Sequence, residues 1–279
     1  MMASTSSRDT KPSAASRLDP TMSTWRPAEC STRDVIQHPM PGLPPERWIG
    51  FWIRLLTWIA KSRVLEVRGL EHIRTTQDPF VLTPNHSQRL EALVLPALLG
   101  FLRNGKVVHF FADWLVMLYP IIGRVVMMHG PIVVTRKPAK IAWLNRFRVR
   151  FANVLPPFEQ AAHLLKAGES VAIFPEGTMN RDRTRLLRGF SGAAQLTLKE
   201  QISVVPAGIR FPRRKGSGRI TDWEPWVLEF GPPLHPPPLK TAEPEIREIR
   251  DWHAQIMQAI SSLSGKQWTP ENQRTRYVA

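Results

Sequence analysis

Several residue types that define whole classes of protein are scarce in this chain of 279 residues. Its single cysteine, Cys30, allows no disulfide within the chain, so a reducing compartment is compatible with the sequence. It contains no glycine-rich phosphate loop and no cluster of residues at metal-ligand spacing, and we therefore expect no metal and no bound cofactor. Residues 1–40 are polar and aperiodic, without an apolar signal core. This composition predicts a disordered tail, or a mis-assigned start with Met22 or Met40 as the alternative.

Acidic residues are also scarce. The chain has 38 Lys and Arg against 23 Asp and Glu, a formal charge of +15, which predicts an anionic partner such as nucleic acid, an anionic membrane surface or a phosphorylated substrate. Ten Trp accompany only two Tyr, and several Trp stand beside Arg or Lys, as is typical of a membrane interface. No nucleic-acid-reading motif is recognisable. The charge alone does not choose among these partners, but the tryptophans favour an anionic membrane surface, and we expect no nucleic-acid partner.

Long uninterrupted apolar runs are missing as well. The stretch 46–61 is too short and too interrupted to span a bilayer, which needs about 20 apolar residues. On a helical wheel, one broad face carries Trp48, Trp52, Leu55, Leu56 and Ile59. We predict an amphipathic helix in the membrane interface over 41–63; a helix packed on the core is the alternative. Residues 112–128 are apolar but contain Asp113, Pro120 and Arg124, which favours a partly membrane-facing segment over a transmembrane helix.

Short apolar runs alternate with helix-length segments along the rest of the chain. Strands are predicted at Pro79–Thr83, Val64–Arg68, Val107–Phe111, Pro131–Thr135, Ser170–Phe174, Ser203–Ile209 and Trp226–Phe230. Helices are predicted at Leu90–Leu102, Pro157–Lys166, Gly189–Lys199 and Glu243–Leu263. This alternation predicts an α/β fold with a mainly parallel central sheet flanked by helices. We expect one domain over 64–263 and a C-terminal tail over 264–279.

A histidine and a carboxylate lie close together after the first buried strand. His86 follows the strand, Ser87 is a plausible N-cap for the next helix, and Glu91 falls in its first turns. Ligands of open α/β sheets bind at this carboxyl edge of the strands. Glu91 can reach back to one ring nitrogen of His86 and leave the other free as a general base. The alternative is a structural hydrogen bond without a catalytic role.

Four blocks of sequence resemble the glycerolipid acyltransferases, notably the 1-acylglycerol-3-phosphate acyltransferases, in order and approximate spacing. They are Asn85-His86-Ser87-Gln88-Arg89-Leu90-Glu91, Gly130-Pro131-Ile132-Val133-Val134-Thr135-Arg136, Phe174-Pro175-Glu176-Gly177-Thr178 and Val205-Pro206-Ala207-Gly208-Ile209. The first is an H-x-x-x-x-D-like motif. The resemblance covers roughly residues 64–230 and implies a glycerol-3-phosphate acyltransferase-like fold.

This resemblance implies a reaction and a set of roles. His86 would be the general base and Glu91 its orienting carboxylate, a pairing that contributes about 10²–10⁴-fold. The acceptor would be the hydroxyl of a lysophospholipid, in the first place 1-acylglycerol-3-phosphate, giving phosphatidic acid. The donor would be acyl-CoA or acyl-carrier protein, with no metal. Substrate-binding roles would fall to Asn85, Arg136, Glu176, Gly177, Thr178 and Arg181. The enzyme would associate with the cytoplasmic side of a membrane as a peripheral or monotopic protein.

Two departures from the family pattern bear on the acceptor and the base. Glu91 stands where the family usually has Asp, and Met179 stands where it usually has Arg, while Arg181 is kept. The loss at position 179 leaves open a different acceptor, namely a lyso-ornithine lipid, another lysophospholipid or a glycolipid. A non-enzymatic, basic lipid-binding protein is a further alternative.

Overall fold

In the part of the chain that the structure describes, eight strands form one mixed sheet. The structure, a computed structural model, describes residues 22–43, 47–151, 154–212, 218–239, 241 and 243–271. Its strands are β1 (Thr24–Trp25), β2 (Val64–Arg68), β3 (Val81–Pro84), β4 (His109–Asp113), β5 (Ile132–Val134), β6 (Val171–Ala172), β7 (Val204–Arg210) and β8 (Trp226–Phe230). Their order is β1-β2-β8-β7-β3-β6-β4-β5. Only β1–β2 and β7–β8 pair antiparallel within the described residues, which confirms the mainly parallel sheet.

Helices cover both faces of this sheet. They are α1 (Thr32–Gln37), α2 (Arg47–Ala60), α3 (Arg89–Leu102), α4 (Pro120–Met128), α5 (Pro157–Lys166), α6 (Gly192–Glu200) and α7 (Ile246–Ser264). Side chains alternate between the two faces along each strand. Leu82 and Val205 pack in one core cluster with α2 and α3. Their neighbours Val81 and Val204 pack in clusters that contain α5 and α6, or α6 and α7, on the other face. Burial on both faces explains the continuous apolar runs that the strands show in the sequence.

The predicted elements all exist, but several boundaries differ. Val64–Arg68, Trp226–Phe230 and Pro157–Lys166 have the predicted ends. The N-cap predicted at Ser87 is wrong, because Gln88 occupies that position and makes no side-chain capping bond. The carboxylate of Asp222, remote in sequence, accepts the Arg89 backbone N–H instead, at 3.1 Å.

The two predicted tails are partly ordered. Residues 22–40, expected to belong to a disordered tail, contain β1, which pairs with β2, and α1, which begins with a capping box at Ser31. Trp25 and Val35 are buried in the core cluster on the α2–α3 face, so apolar contacts hold this segment. The first part of that predicted tail, residues 1–21, lies outside the described residues. In the predicted C-terminal tail, Lys266 is buried, and 272–279 again lie outside the description.

Helix α2 packs on α3 and also exposes aromatic rings. Ile49, Ile53 and Ala60 are buried in the core cluster, so the proposed alternative of a core-packed helix holds for this face. On the helix's other side Trp48 is 70% exposed, and Phe51 and Trp58 are about half exposed. The apolar segment 112–128 contains the end of β4, a short 3-10 helix over Trp114–Leu118, and α4, which lies beside α2. Among the helices that the structure describes, none is both long and apolar enough to cross a bilayer.

Candidate active site

The site lies where parallel strands β3 and β6 end side by side. The residues of β3 pair with those of β6, Val81 with Val171 and Leu82 with Ala172. Because both strands run in the same direction, the segments that follow them emerge at one edge of the sheet. His86 follows β3 and Glu176 follows β6. The fold therefore brings together two of the blocks that the sequence analysis selected.

His86 and Glu91 form a hydrogen-bonded pair. The Nδ1 atom of His86 lies 3.0 Å from Oε2 of Glu91. A carboxylate can only accept, so Nδ1 carries a proton, and in the neutral ring Nε2 then holds the lone pair. Oε2 also accepts the Ser87 backbone N–H at 2.7 Å, which fixes the carboxylate in the turn. The Glu91 side chain is fully buried, whereas that of His86 keeps 16% exposure. The pair thus has a buried orienting group and a partly exposed imidazole.

Glu176 faces inward and binds the site's own backbone. Its two carboxylate oxygens accept from the backbone N–H of His86 at 3.2 Å, the backbone N–H of Leu187 at 2.8 Å and the amide of Asn180 at 2.7 Å. Burial raises the pKa of the Glu176 carboxyl, while the positive charge of Lys266 and these hydrogen bonds act to lower it. The Glu176 carboxylate therefore fixes the turn that carries His86.

A tight turn after β6 places one apolar ring against His86. The Gly177 N–H donates to the Phe174 carbonyl at 3.0 Å, and Gly177 adopts a positive φ of 62° that favours glycine. The Phe174 ring stacks on the His86 imidazole with centroids 4.6 Å apart. Gly177 is exposed and Thr178 half-buried, so the tip of this turn is accessible to a ligand.

The other residues predicted to bind substrate make different kinds of contact. Asn85 is buried and exchanges two hydrogen bonds with the Ile209 backbone, at 2.7 and 3.2 Å, which ties the end of β3 to β7. Arg181 pairs with the Asp222 carboxylate at 2.7 Å and donates to the Ile220 carbonyl. Arg136 is exposed, and its guanidinium has no partner among the residues described.

Four residues that the sequence analysis did not select complete the site. Lys137 reaches from the end of β5 to the Gly177 carbonyl at 3.2 Å, so the segment with Arg136 lies next to the turn after β6. Asn180 holds Glu176 and donates its backbone N–H to the His86 carbonyl at 2.7 Å. Asp222 binds Arg181, and the Lys266 ammonium reaches Ser87 Oγ at 2.8 Å. The Pro-Glu-Gly-Thr block could have indicated only Asn180, which closely follows it.

No metal centre is evident in the part of the chain that the structure covers. No group of three or more His, Cys, Asp or Glu side chains converges there in a way that could hold an ion. The chemistry that the described groups offer is proton transfer at His86 Nε2 and, at Arg136 and Lys137, attraction of an anion.

The chain matches a protein-family model. The model, described as Acyltransferase, matches residues 64–210. The chain is 28% identical over 156 residues to the chloroplastic 1-acyl-sn-glycerol-3-phosphate acyltransferase LPAT1 of Arabidopsis thaliana, covering 56% of this chain and 37% of that protein. It is 26% identical over 155 residues to BAT2, a chloroplastic protein of Brassica napus with the same enzyme name, covering 56% and 38%. The aligned region thus spans less than two fifths of either relative.

A solved structure shares the fold. The crystal structure of the 1-acyl-sn-glycerophosphate acyltransferase PlsC from Thermotoga maritima matches with a TM-score of 0.51 at 19% identity. The match covers 85% of this chain and 83% of the other. This likeness supports the predicted α/β architecture.

Proposed function

Because the chain belongs to the acyltransferase family, we propose that it moves a fatty acyl group from a thioester donor to the free hydroxyl of a lysophospholipid. The observation that carries the proposal is the His86–Glu91 pair, 3.0 Å apart, with its Nε2 atom left available. The donor is acyl-CoA or acyl-carrier protein. The first acceptor to test is 1-acylglycerol-3-phosphate, the substrate that the names of the two plant relatives contain.

The proposed step is a direct transfer with general base catalysis. His86 Nε2 takes the proton from the acceptor hydroxyl as its oxygen attacks the thioester carbonyl carbon. The carbon–sulfur bond then breaks, and the proton on His86 passes to the departing thiolate. Glu91 stabilises the imidazolium through Nδ1, the role of a triad carboxylate. Asn85 and Glu176 position His86 through the backbone, since their polar atoms bind the protein itself.

The acceptor headgroup is assigned to the region next to the turn after β6. Arg136 and Lys137 are exposed cations, Lys137 contacts the Gly177 carbonyl, and the two side chains suit a phosphate group. Arg181 contributes less to such a site while it remains paired with Asp222. This pairing, together with Met179 in place of the family's Arg, favours the second candidate, in which the same chemistry acts on a lyso-ornithine lipid, another lysophospholipid or a glycolipid.

The enzyme is proposed to work on a membrane as a peripheral or monotopic protein. Trp48, Phe51 and Trp58 expose aromatic rings on α2, and neighbouring α4 exposes Ile121 and Met127. Such apolar surface, combined with a formal charge of +15, suits the interface of an anionic membrane. The cytoplasmic side follows from the location expected of the donors.

The test is acyl transfer in detergent micelles by wild type, His86→Ala and His163→Ala. Labelled acyl-CoA and acylated carrier protein are each offered with a panel of the acceptors named above. We expect His86→Ala to lose at least 10²-fold in rate. His163 is exposed on α5, and its replacement should leave the rate unchanged. A folded His86→Ala protein with wild-type transfer contradicts the mechanism. A folded wild type that transfers to no acceptor, yet binds lipid, supports the lipid-binding alternative.

A further inference from the structure

A lysine side chain lies buried beneath the His86–Glu91 pair. Lys266 is only 3% exposed, and its ammonium donates to Ser87 Oγ at 2.8 Å. The backbone N–H of the same serine donates to Glu91 Oε2 at 2.7 Å. A short path therefore leads from the ammonium through Ser87 to the carboxylate that orients His86. This lysine falls outside residues 64–210, the segment that the family model matches.

The end of α7 places this lysine. The helix ends at Ser264, and Gly265 adopts a φ of 69°, which turns the chain sharply. The Gln267 backbone then makes two hydrogen bonds with the segment 184–186. Its N–H donates to the Thr184 carbonyl at 2.7 Å, and its carbonyl accepts from the Leu186 N–H at 2.9 Å. These two bonds fix the backbone on the C-terminal side of Lys266. The ammonium is thus held by the fold and is not a flexible surface group.

The ammonium compensates a concentration of buried negative charge. Glu91 and Glu176 are both fully inaccessible to solvent. Burial lowers the pKa of Lys266, while Glu176, Glu91 and Asp182 act to raise it and Arg183 to lower it further. A buried ammonium is costly unless it is paired and hydrogen-bonded. Here it faces two carboxylates that both contact the His86 turn.

We propose that Lys266 is a positioning residue that sets the charge balance around His86 and keeps its Nε2 available as a base near neutral pH. The inference rests on the proposed function. Without the ammonium, its repulsion of a positive charge on His86 would be lost, and the Glu91 carboxylate bound to Nδ1 would favour the imidazolium over the neutral ring more strongly. At neutral pH a larger share of the enzyme would then lack the free base. Loss of the Ser87 contact would also loosen Glu91.

The test compares the pH dependence of kcat/KM in the full chain of wild type, Lys266→Met, Lys266→Gln and Lys266→Arg. The acidic limb is the low-pH range in which kcat/KM rises with pH. We expect this limb to move to higher pH by about one unit in Lys266→Met and Lys266→Gln. At a fixed pH on the limb, kcat/KM would then fall about tenfold. The KM for the acceptor should change little. Lys266→Arg keeps the positive charge and should keep the acidic limb at its wild-type pH. The glutamine variant keeps a donor toward Ser87 and serves if the methionine variant does not fold.

A control lysine separates this role from a general effect of charge. Lys199 is exposed on α6 and pairs with Glu243. Lys199→Met removes the same charge at a distance and should leave the limb in place. A purely structural role predicts that Lys266→Gln is less stable while its acidic limb stays at the wild-type pH. That result in a folded Lys266→Gln protein overturns the proposal.

A second readout does not depend on acyl transfer. The imidazole of His86 can be followed by NMR in histidine-labelled protein, with its signal assigned by its loss in His86→Ala. We expect the pH at which this imidazole takes up its proton to rise in Lys266→Gln by about the same one unit. A rise without any acyl transfer would contradict only the proposed function. Transfer without a rise would contradict only the role of Lys266.

Discussion

Glu91 is one methylene longer than the Asp that the sequence resemblance leads one to expect, yet its carboxylate makes close contacts. Oε2 lies 3.0 Å from the His86 ring and 2.7 Å from the Ser87 N–H. Both contacts converge on one oxygen, and Oε1 accepts no hydrogen bond from the residues described. The turn between β3 and α3 is therefore fitted to a glutamate.

Glu91→Asp should consequently impair the enzyme, even though it introduces the residue expected from the sequence resemblance. The shorter side chain withdraws the carboxylate from His86, and a misplacement of about 1 Å costs about 10²-fold in rate. We expect kcat to fall by roughly that factor, with little change in the acceptor KM. Steady-state kinetics beside Glu159→Asp, an exposed site on α5, provides the comparison. Wild-type kcat in Glu91→Asp would show that the turn adjusts freely.

The sequence alone predicts the contacts of some site residues and not of others. The spacing of His86 and Glu91 predicts their contact because it is local, within one turn and the start of a helix. Asn85 and Glu176 were predicted to bind substrate, but the inward orientation of their side chains depends on partners in other elements, Ile209 and Leu187. No sequence pattern indicates Lys266, because its contact with Ser87 depends on how the end of α7 packs at the sheet edge.

At the scale of elements, the turn after β6 combines backbone strain with close packing. A Cβ added to Gly177, at a φ of 62°, would meet the Phe190 ring at 2.6 Å. Gly168 offers a matched position, because its φ of 80° is equally positive but nothing lies within 4 Å of an added Cβ. The two glycines thus separate the backbone cost from the steric cost.

Gly177→Ala should destabilise the protein more than Gly168→Ala does. Both variants pay about 1–2 kcal/mol for a left-handed alanine, and overpacking adds about 1–3 kcal/mol at Gly177 alone. Urea unfolding measures the difference. We also expect Gly177→Ala to lose transfer activity, since the turn carries Glu176. Equal losses of stability in the two variants would mean that Phe190 moves aside without cost.

Helix α2 packs one face on the core and exposes another. The helical-wheel prediction grouped Trp48 with Leu56 on one broad apolar face. The structure exposes Trp48 and packs Leu56 partly against the core cluster. Periodicity alone could not divide an apolar surface that extends so far around the helix. Its two faces can now be tested separately.

Replacing Trp48, Phe51 and Trp58 together by Ala should weaken membrane binding and leave stability nearly unchanged. The three rings are exposed and contribute little to the core, whereas burial of one such side chain in an interface is worth about 1.5–3 kcal/mol. We expect at least a tenfold loss of binding to anionic vesicles in a flotation assay. Ile246→Ala, at an exposed apolar site on α7, is the control. Undiminished binding by the triple variant would exclude this face of α2 as the docking surface.

Across the whole molecule, the net positive charge is concentrated partly beside the site. Arg136 and Lys137 open an exposed segment that continues into the 3-10 helix Ala142–Phe151, which contains arginines and no acidic residue. Composition predicted an anionic partner but could not show where the positive charge lies in the fold. The position of Arg136 and Lys137 depends on β5, which lies at the edge of the sheet. The location next to the turn after β6 fits an anionic substrate or membrane surface.

Three buried histidines make the fold sensitive to acid. His38, His129 and His253 each contact a backbone carbonyl through one ring nitrogen, at 3.0, 2.8 and 3.1 Å. Burial lowers the pKa of all three below the ordinary value of 6.5. Between the lowered pKa values and 6.5 the unfolded chain binds more protons than the folded one, so the free energy of unfolding falls as the pH falls. Glu176, whose pKa is raised, acts in the opposite direction.

His129→Gln should therefore reduce the loss of stability between pH 7.0 and pH 5.5. Glutamine can still donate to the Val125 carbonyl but takes up no proton in either state. Each such histidine accounts for at most about 1.4 kcal/mol per pH unit within its window, and urea unfolding at the two pH values measures the change. His163→Gln replaces an exposed histidine and should leave the pH dependence as in wild type. Because Glu176 is present in all three proteins, its opposing contribution cancels in the comparison. An unchanged acid loss in His129→Gln would mean that this histidine is protonated within the fold.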